Sequence, residues 1–177
     1  GQLDEEPDGE AFGENLHEWF DGYDAAAIVE INAMKDNAAI EKKAKQLVRS
    51  ALNIPVVCGH ELFSDLNSVQ RGASTLLNAR LIPVIADFLE AVKRVLKQKG
   101  IAVPIVIVRS DGSLMNEEFT AVRPVETLLC GPAASVMGGV ELTSEPNSLI
   151  VDMGGTTTDI AFVKDKIPVR AEDGIRV

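Results

Sequence analysis

Residues 148–164 (SLIVDMGGTTTDIAFVK) constrain the fold of this chain more than any other stretch. An apolar run at 149–151 leads into Asp152, and a second apolar run at 160–163 follows Asp159. The small residues between the two carboxylates are Gly154, Gly155, Thr156, Thr157 and Thr158. Apolar runs separated by a short Gly-rich segment are typical of paired strands. The stretch therefore predicts a strand, a tight loop and a second strand.

The loop between these strands has the donors that a phosphate group needs. Gly154 and Gly155 lack a Cβ and can adopt positive φ, so backbone N–H groups can approach an anion closely. The threonines add hydroxyls. Asp152 and Asp159 would repel a phosphate unless a cation lay between them, and Mg²⁺ binds oxygen ligands while keeping several waters. The sequence thus predicts a Mg-nucleotide phosphate site.

An ordinary β-hairpin whose turn contains Gly-Gly-Thr is the alternative interpretation. Gly-Gly alone would say little, because such turns are common. The full spacing, Asp-x-Gly-Gly-Thr-x-Thr-Asp between two apolar strands, is much more restrictive and favours the phosphate site.

The rest of the chain alternates between predicted strands and helices. Strands are predicted at 25–31, 55–58 and 104–108, and helices at 38–52, 64–99 and 132–142. Asn37 is the expected cap of the first helix, and Pro83 is expected to bend or divide the second. This alternation predicts an α/β fold, in which ligands gather at the carboxyl ends of strands. Asp152 follows such a strand.

Three motifs in a fixed order link the chain to a known family. The loop at 152–159 is similar to the second phosphate motif of the actin, sugar kinase and heat-shock ATPase superfamily. Residues 110–115 (SDGSLM) and 123–135 (RPVETLLCGPAAS) precede it. Together they resemble the hydantoinase A / 5-oxoprolinase family. The chain departs from the family pattern near 111–113, where Asn-Gly-Gly is usual, and at Cys130, where Ser is usual.

The resemblance implies an α/β chain with part of an actin-like ATPase (ribonuclease H-like) fold and a phosphate-loop β-hairpin near the C-terminus. It divides the chain into an acidic segment with a short helix at 1–24, an α/β region at 25–142, and the start of a second actin-like half at 143–177. It also implies that the chain is an internal piece of a longer protein.

The resemblance further implies an ATP-dependent cyclic amide hydrolase that phosphorylates a lactam or cyclic imide to allow ring opening. In that enzyme Asp152 would hold Mg²⁺, and Gly154, Gly155 and Thr156 would cradle the β- and γ-phosphates of ATP. Thr157 or Thr158 would add a hydroxyl, and Asp159 would orient the loop by accepting its N–H groups. A second, hydantoinase B-like subunit or domain would complete the reaction, so the piece alone is expected to be inactive.

Two other functions remain open from the sequence. Family relatives include ATP-dependent ketone carboxylase subunits, which activate their substrates by phosphorylation. The phosphate loop is also shared by nucleotide-gated binding modules that catalyse no such reaction.

Composition excludes several partners and compartments. The net charge of −10 argues against nucleic acid and against an anionic membrane surface. No run approaches the ~20 apolar residues of a membrane helix, so a cytoplasmic protein is expected. Cys58 and Cys130 are expected to be free thiols.

Histidines and arginines give weaker signals. His17 and His60 fit no metal-ligand spacing, so no zinc site is predicted. Arg71, Arg80 and Arg123 can bind an anion, but the commoner situation is a solvated or salt-bridged arginine.

Overall fold

A computed structural model describes residues 9–35, 37–64 and 67–169. Most of the acidic start and everything after residue 169 lie outside these ranges. The helices are α1 (Gly9–Trp19), α2 (Ala39–Ala51), α3 (Gly59–Leu62), α4 (Ser68–Gln98), α5 (Glu117–Val122) and α6 (Cys130–Leu142). The strands are β1 (Ala26–Ile28), β2 (Val56–Cys58), β3 (Val106–Val108), β4 (Leu114–Asn116), β5 (Ser148–Met153), β6 (Thr158–Lys164) and β7 (Ile167–Pro168).

The packing of the chain separates it into two compact units. Unit 1 lies within residues 9–102 and 121–125, and unit 2 within residues 103–120 and 126–169. The division reflects contacts within the chain, and the boundary of an actin-like half at residue 143 stays a prediction.

Unit 1 is built on two parallel strands. β1 pairs with β2 in the register Ala26↔Val56 and Ile28↔Cys58, and α2 is the crossover between them. Successive strand residues point to opposite faces, so Val56 and Val57 enter different clusters. One buried cluster joins α1 and α2 to the strands, and the other joins β2 to α3 and α4. Unit 1 is therefore layered, as the α/β prediction requires.

The start of α2 differs from the prediction that Asn37 caps it. Asn37 and Ala38 have φ values of 60° and 56°, and α2 begins at Ala39 with no side-chain cap. A helix cap needs an extended backbone, whereas Asn tolerates the left-handed region. The carbonyl of Asn37 instead accepts a hydrogen bond from Lys42 Nζ at 2.7 Å.

The long helix α4 is continuous through Pro83, so the predicted division there is wrong. It starts after Asn67, whose side chain accepts from the N–H of Gln70 at 3.2 Å. Gly100, with φ 68°, follows the end of α4. Of the apolar residues along it, Leu89 is buried while Phe88 is 52% exposed.

Unit 2 contains the predicted hairpin. β5, β6 and β7 form one antiparallel sheet, and β3 pairs with β4. Helix α6 packs on the three-stranded sheet through its small residues, because a Cβ added at Gly139 would lie 2.8 Å from Ile150. The helix begins at Cys130, two residues before the predicted start at Pro132.

Candidate functional site

The two candidate carboxylates face each other across the hairpin. Asp152 on β5 is the direct partner of Asp159 on β6. Directly opposed residues of an antiparallel pair lie on the same face of the sheet, with Cβ atoms about 4.5–5.5 Å apart. Ile150, which packs on α6, shares that face with them by alternation. The structure thus brings together two side chains that are seven positions apart in sequence.

The loop between these strands is closed by one backbone bond. The N–H of Gly154 donates to the carbonyl of Thr157 at 2.9 Å. Gly154 therefore uses its N–H inside the loop, contrary to the expectation that it would face a phosphate. For the N–H groups of Gly155 and Thr156, the part of the chain that the structure describes offers no hydrogen-bond acceptor.

The loop glycines contribute space rather than an unusual backbone. Neither Gly154 nor Gly155 has a positive φ, so the prediction that the loop uses the left-handed backbone of glycine is wrong. A Cβ added at Gly155 would meet no atom within 4 Å, whereas one at Gly154 would lie 3.4 Å from the carbonyl oxygen of Thr157. The open side of Gly155 leaves room for a ligand to approach the backbone closely.

The threonines divide between the loop and the strand. Thr156 and Thr157 belong to the loop, while Thr158 is the first residue of β6 and pairs with Met153. Because side chains alternate along a strand, Thr158 lies on the face opposite to Asp159. Which of the two threonines adds a hydroxyl to the site stays a prediction.

The donor set suits a hard dication. Among residues 9–35, 37–64 and 67–169, neither Asp152 nor Asp159 has a side-chain hydrogen bond or an ion pair. Asp159 accepts no loop N–H in this part of the chain, because it lies in β6 and its neighbour across the sheet is Asp152. Two adjacent carboxylates without a cationic partner fit Mg²⁺, which prefers carboxylate oxygens and water.

The segment 110–113 forms a turn held partly by the side chain of Asp111. Asp111 Oδ1 accepts from the N–H of Ser113 at 3.0 Å and from its hydroxyl at 2.6 Å. Gly112 has φ 83°, and a Cβ there would lie 2.9 Å from Met137. These contacts account for Asp111 and Gly112 as turn residues.

Glu126 anchors that turn, a function that the sequence did not reveal. Its carboxylate accepts from Arg109 Nη2 at 2.8 Å, and its carbonyl accepts from the N–H of Ser110 at 2.9 Å. The hydrogen bond that Arg109 donates to Glu126 raises the pKa of Arg109. The 123–135 motif is therefore in part a structural support for the strand pair β3–β4.

Two of the three candidate arginines are held by backbone carbonyls in unit 1. Arg71 is 1% exposed and donates to the carbonyl of Glu30 at 2.6 Å. Arg123 donates to the carbonyl of Leu62 at 2.7 Å, at the end of α3. The expectation of a solvated or salt-bridged arginine overlooked these backbone acceptors, which only the fold brings within reach. Arg80 is exposed.

The cysteines are free, as predicted, and one of them lies in a polar cluster. Burial, and then the negative charge of Glu61, raise the pKa of Cys58 to about 12. A carboxylate oxygen of Glu41, the sulfur of Cys58 and a ring nitrogen of His60 lie within 4.8 Å of one another, a grouping that sequence spacing did not suggest.

None of the helices in the described ranges is long and apolar enough to cross a membrane.

The fold and this hairpin define an α/β protein of a class that includes known ATP-dependent enzymes. The chain is similar to the crystal structure of ATP-dependent caprolactamase from Pseudomonas jessenii, with a TM-score of 0.77, 26% identity, and coverage of 92% of this chain and 24% of that one. It is 32% identical to the caprolactamase subunit alpha of the same organism over 72% of this chain and 19% of the relative. It is 24% identical to the acetophenone carboxylase gamma subunit of Aromatoleum aromaticum over 72% of this chain and 18% of the relative.

The sequence profile of the hydantoinase/oxoprolinase family matches residues 71–176. The chain belongs to this family, which confirms the resemblance drawn from the three motifs. It spans about a fifth of the length of the two curated relatives.

Proposed function

We propose that this chain is part of an ATP-dependent amidohydrolase of the hydantoinase/5-oxoprolinase type, acting on a lactam or cyclic imide. The observation that carries the proposal is the hairpin of unit 2. Asp152 and Asp159 are paired beside a loop whose Gly155 and Thr156 N–H groups have no acceptor in the described part of the chain. Its relatives include an ATP-dependent caprolactamase, and the name of that enzyme identifies a lactam as its substrate.

Each residue of the hairpin has a distinct task in this proposal. Gly155 and Thr156 donate N–H groups to the β- and γ-phosphate oxygens, and the open side of Gly155 admits the phosphate. Gly154 holds the loop closed through its bond to Thr157. Asp152 would hold Mg²⁺, and Asp159 would add the second negative charge of the metal site. ATP supplies the phosphoryl group that converts the amide oxygen into a leaving group.

The protein contributes positioning and charge neutralisation to such a transfer. A lactam is unstrained and resists hydrolysis at neutral pH, so activation by phosphorylation precedes ring opening. We expect a second, hydantoinase B-like subunit or domain to complete the ring opening, since the caprolactamase relative is itself a subunit. We expect the segment described here to be inactive by itself, because the hairpin supplies only one wall of a nucleotide cleft.

A ketone carboxylase subunit is the second candidate function. The similarity to the acetophenone carboxylase gamma subunit favours it. The same hairpin would serve there, since both reactions begin with phosphoryl transfer from ATP. A nucleotide-gated binding module without turnover is the third possibility and would use the loop for binding alone.

Substrate-stimulated ATP hydrolysis distinguishes these functions. The longer protein that carries this segment, with its partner subunit, would be assayed with MgATP alone and then with 5-oxoproline, hydantoins, larger lactams, and ketones plus bicarbonate. Stimulation by a cyclic amide supports the amidohydrolase, and stimulation only by a ketone with bicarbonate supports the carboxylase. MgADP binding without any stimulated turnover supports the binding module and contradicts the proposed hydrolase.

A further inference from the structure

Unit 1 contains an imidazole bonded to a buried carboxylate. The Glu41 side chain is fully buried, and the His60 side chain is 18% exposed. His60 Nδ1 lies 2.6 Å from Glu41 Oε2, and the backbone N–H of His60 donates to the same oxygen at 3.0 Å. In the tautomer with the proton on Nδ1, Glu41 Oε2 accepts from the ring as it accepts from the backbone N–H of His60.

This bond determines which ring nitrogen of His60 can act as a base. A neutral imidazole that carries its proton on Nδ1 has its lone pair on Nε2. Among the described residues, His60 Nε2 has no hydrogen-bond donor. In hydrolases with a carboxylate–imidazole pair, the carboxylate fixes the tautomer and stabilises the imidazolium that forms on proton transfer. Glu41 and His60 have the same arrangement.

The pair lies where α/β sheets bind ligands. β1 and β2 are parallel and end at Ile28 and Cys58, so their carboxyl ends meet at one edge. His60 follows β2 by two residues, and Glu41 lies in the first turn of α2, which follows β1. Glu41 Oε1 accepts the N–H of Glu30 at 2.8 Å, just beyond β1. Ligands of open α/β sheets bind outside the carboxyl ends of such strands.

The neighbouring polar groups are engaged with other partners. Lys45 Nζ pairs with Glu61 at 2.6 Å, and Arg71 from α4 donates to the carbonyl of Glu30. The Cys58 thiol donates to the backbone carbonyl of Glu41 at 3.5 Å. These are hydrogen-bond distances, and they leave the Glu41 carboxylate as the group that orients the His60 ring.

We propose that His60, oriented by Glu41, is a proton acceptor of unit 1, distinct from the phosphate loop of unit 2. Its ligand is an O–H group, of water or of a bound substrate. The O–H bond breaks, the proton forms an N–H bond at Nε2, and the oxygen keeps the electron pair. Glu41 compensates the positive charge of the resulting imidazolium. The use of this step in catalysis rests on the function proposed above, whereas the ring tautomer does not.

The chain itself allows the tautomer to be tested. Histidine-¹⁵N NMR of the neutral ring is expected to show His60 protonated at Nδ1 and bare at Nε2, and Glu41→Gln is expected to populate the other tautomer. His17, which is exposed on α1, is the internal reference. A neutral His60 ring that carries its single proton on Nε2 would contradict the proposal whatever the protein catalyses.

Turnover by the longer protein with its partner tests the proton transfer. His60→Asn keeps a donor nitrogen at the position of Nδ1 and therefore the bond to Glu41, but it removes Nε2. It is expected to lower kcat by roughly 10²–10⁴-fold without changing the KM for ATP, and to change the shape of the pH–rate profile. His17→Gln is the matched control and should behave as the wild type.

A purely structural bond between His60 and Glu41 gives a different result. His60→Asn would then retain the wild-type kcat and pH profile, which would overturn the proposal. If His60→Asn fails to fold, the pH profile of Glu41→Gln is the substitute, and an unchanged profile would overturn the proposal equally. If the wild type turns over no cyclic amide, the proposed hydrolase function is contradicted. The tautomer of the His60 ring then tests the proposal for Glu41 and His60 independently of that function.

Discussion

Asp152 and Asp159 are direct cross-strand partners, on the same face of the hairpin that closes at Gly154 and Thr157. Like charges directly opposed on a sheet destabilise it. Within the described residues, no cation of the protein compensates this pair. Mg²⁺ would therefore stabilise the hairpin as well as bind phosphate, and this expectation connects the fold of unit 2 to its proposed function.

Gly155 offers a direct test of the open side of the loop. Gly155→Ala should leave stability nearly unchanged, because its Cβ would meet no atom within 4 Å and its φ is not positive. The added methyl group would occupy the space proposed for phosphate, so MgATP affinity should fall by about tenfold, equivalent to roughly 1.4 kcal/mol. Calorimetric titration of the longer protein measures this.

Gly131→Ala is the control for that experiment, since its Cβ also meets nothing within 4 Å. Equal MgATP affinities for Gly155→Ala and the wild type would show that phosphate does not approach this side of the loop.

The contact between α6 and β5 predicts that alanine substitutions at two adjacent glycines change the free energy of unfolding in opposite directions. Gly139→Ala would place a Cβ 2.8 Å from Ile150, whereas Gly138→Ala meets nothing within 4 Å. Overpacking costs about 1–3 kcal/mol, while Ala in place of Gly in a helix gains roughly 0.5–1 kcal/mol. Denaturant unfolding should therefore find the Gly138 variant more stable than the Gly139 variant. The reverse order would mean that α6 does not pack closely on the sheet.

The ion pair between Arg109 and Glu126 should matter more than an exposed one. The two side chains are 32% and 15% exposed, while Arg94 and Glu90 on α4 are 66% and 73% exposed. Arg109→Ala should cost about 1–2 kcal/mol because Glu126 loses a charged partner, and Arg94→Ala about 0.3–0.5 kcal/mol. Urea unfolding compares the two. Equal losses would place the Arg109 pair among ordinary surface pairs.

The buried thiol of Cys58 predicts a loss of stability at high pH. Its pKa is raised from 9.0 to about 12 by burial first and by Glu61 second. The unfolded chain ionises this thiol above its ordinary pKa, while the folded chain keeps its proton, so stability is complete below pH 9 and falls between pH 9 and about 12.

Cys58→Ser should lack that part of the pH dependence when unfolding is measured at several pH values. Cys130→Ser is the control, and it should retain the wild-type slope. Below pH 9, iodoacetamide should modify the partly exposed Cys130 and spare Cys58. Rapid modification of Cys58 in the folded protein would contradict its burial.

The sequence predicted the elements that local patterns specify. The apolar runs around the loop led to the observed strands, because periodicity and turn chemistry act over a few residues. The Asn37 cap failed because Asn37 adopts the left-handed region instead of the extended backbone of a cap, and the division failed because α4 runs through Pro83.

The site was predictable only where its residues are close in sequence. Asp152 and Asp159 belong to one motif, so their pairing followed from the hairpin. Glu41 and His60 are 19 positions apart and come together through the parallel pairing of β1 and β2. Arg71 bonds to the Glu30 carbonyl across 41 positions. The spacing of residues in the sequence does not predict such long-range contacts.

The most direct test of the central claim is Mg²⁺-dependent ATP binding by the longer protein, with Asp152→Asn compared against Asp165→Asn. Asp165 lies in the β6–β7 turn with φ 52°, a conformation that Asn tolerates, so its variant should bind MgATP as the wild type does. A phosphate site at the hairpin predicts that Asp152→Asn weakens MgATP binding by about 10–100-fold while the protein stays folded. Wild-type affinity in Asp152→Asn would contradict the assignment of this hairpin as the nucleotide site.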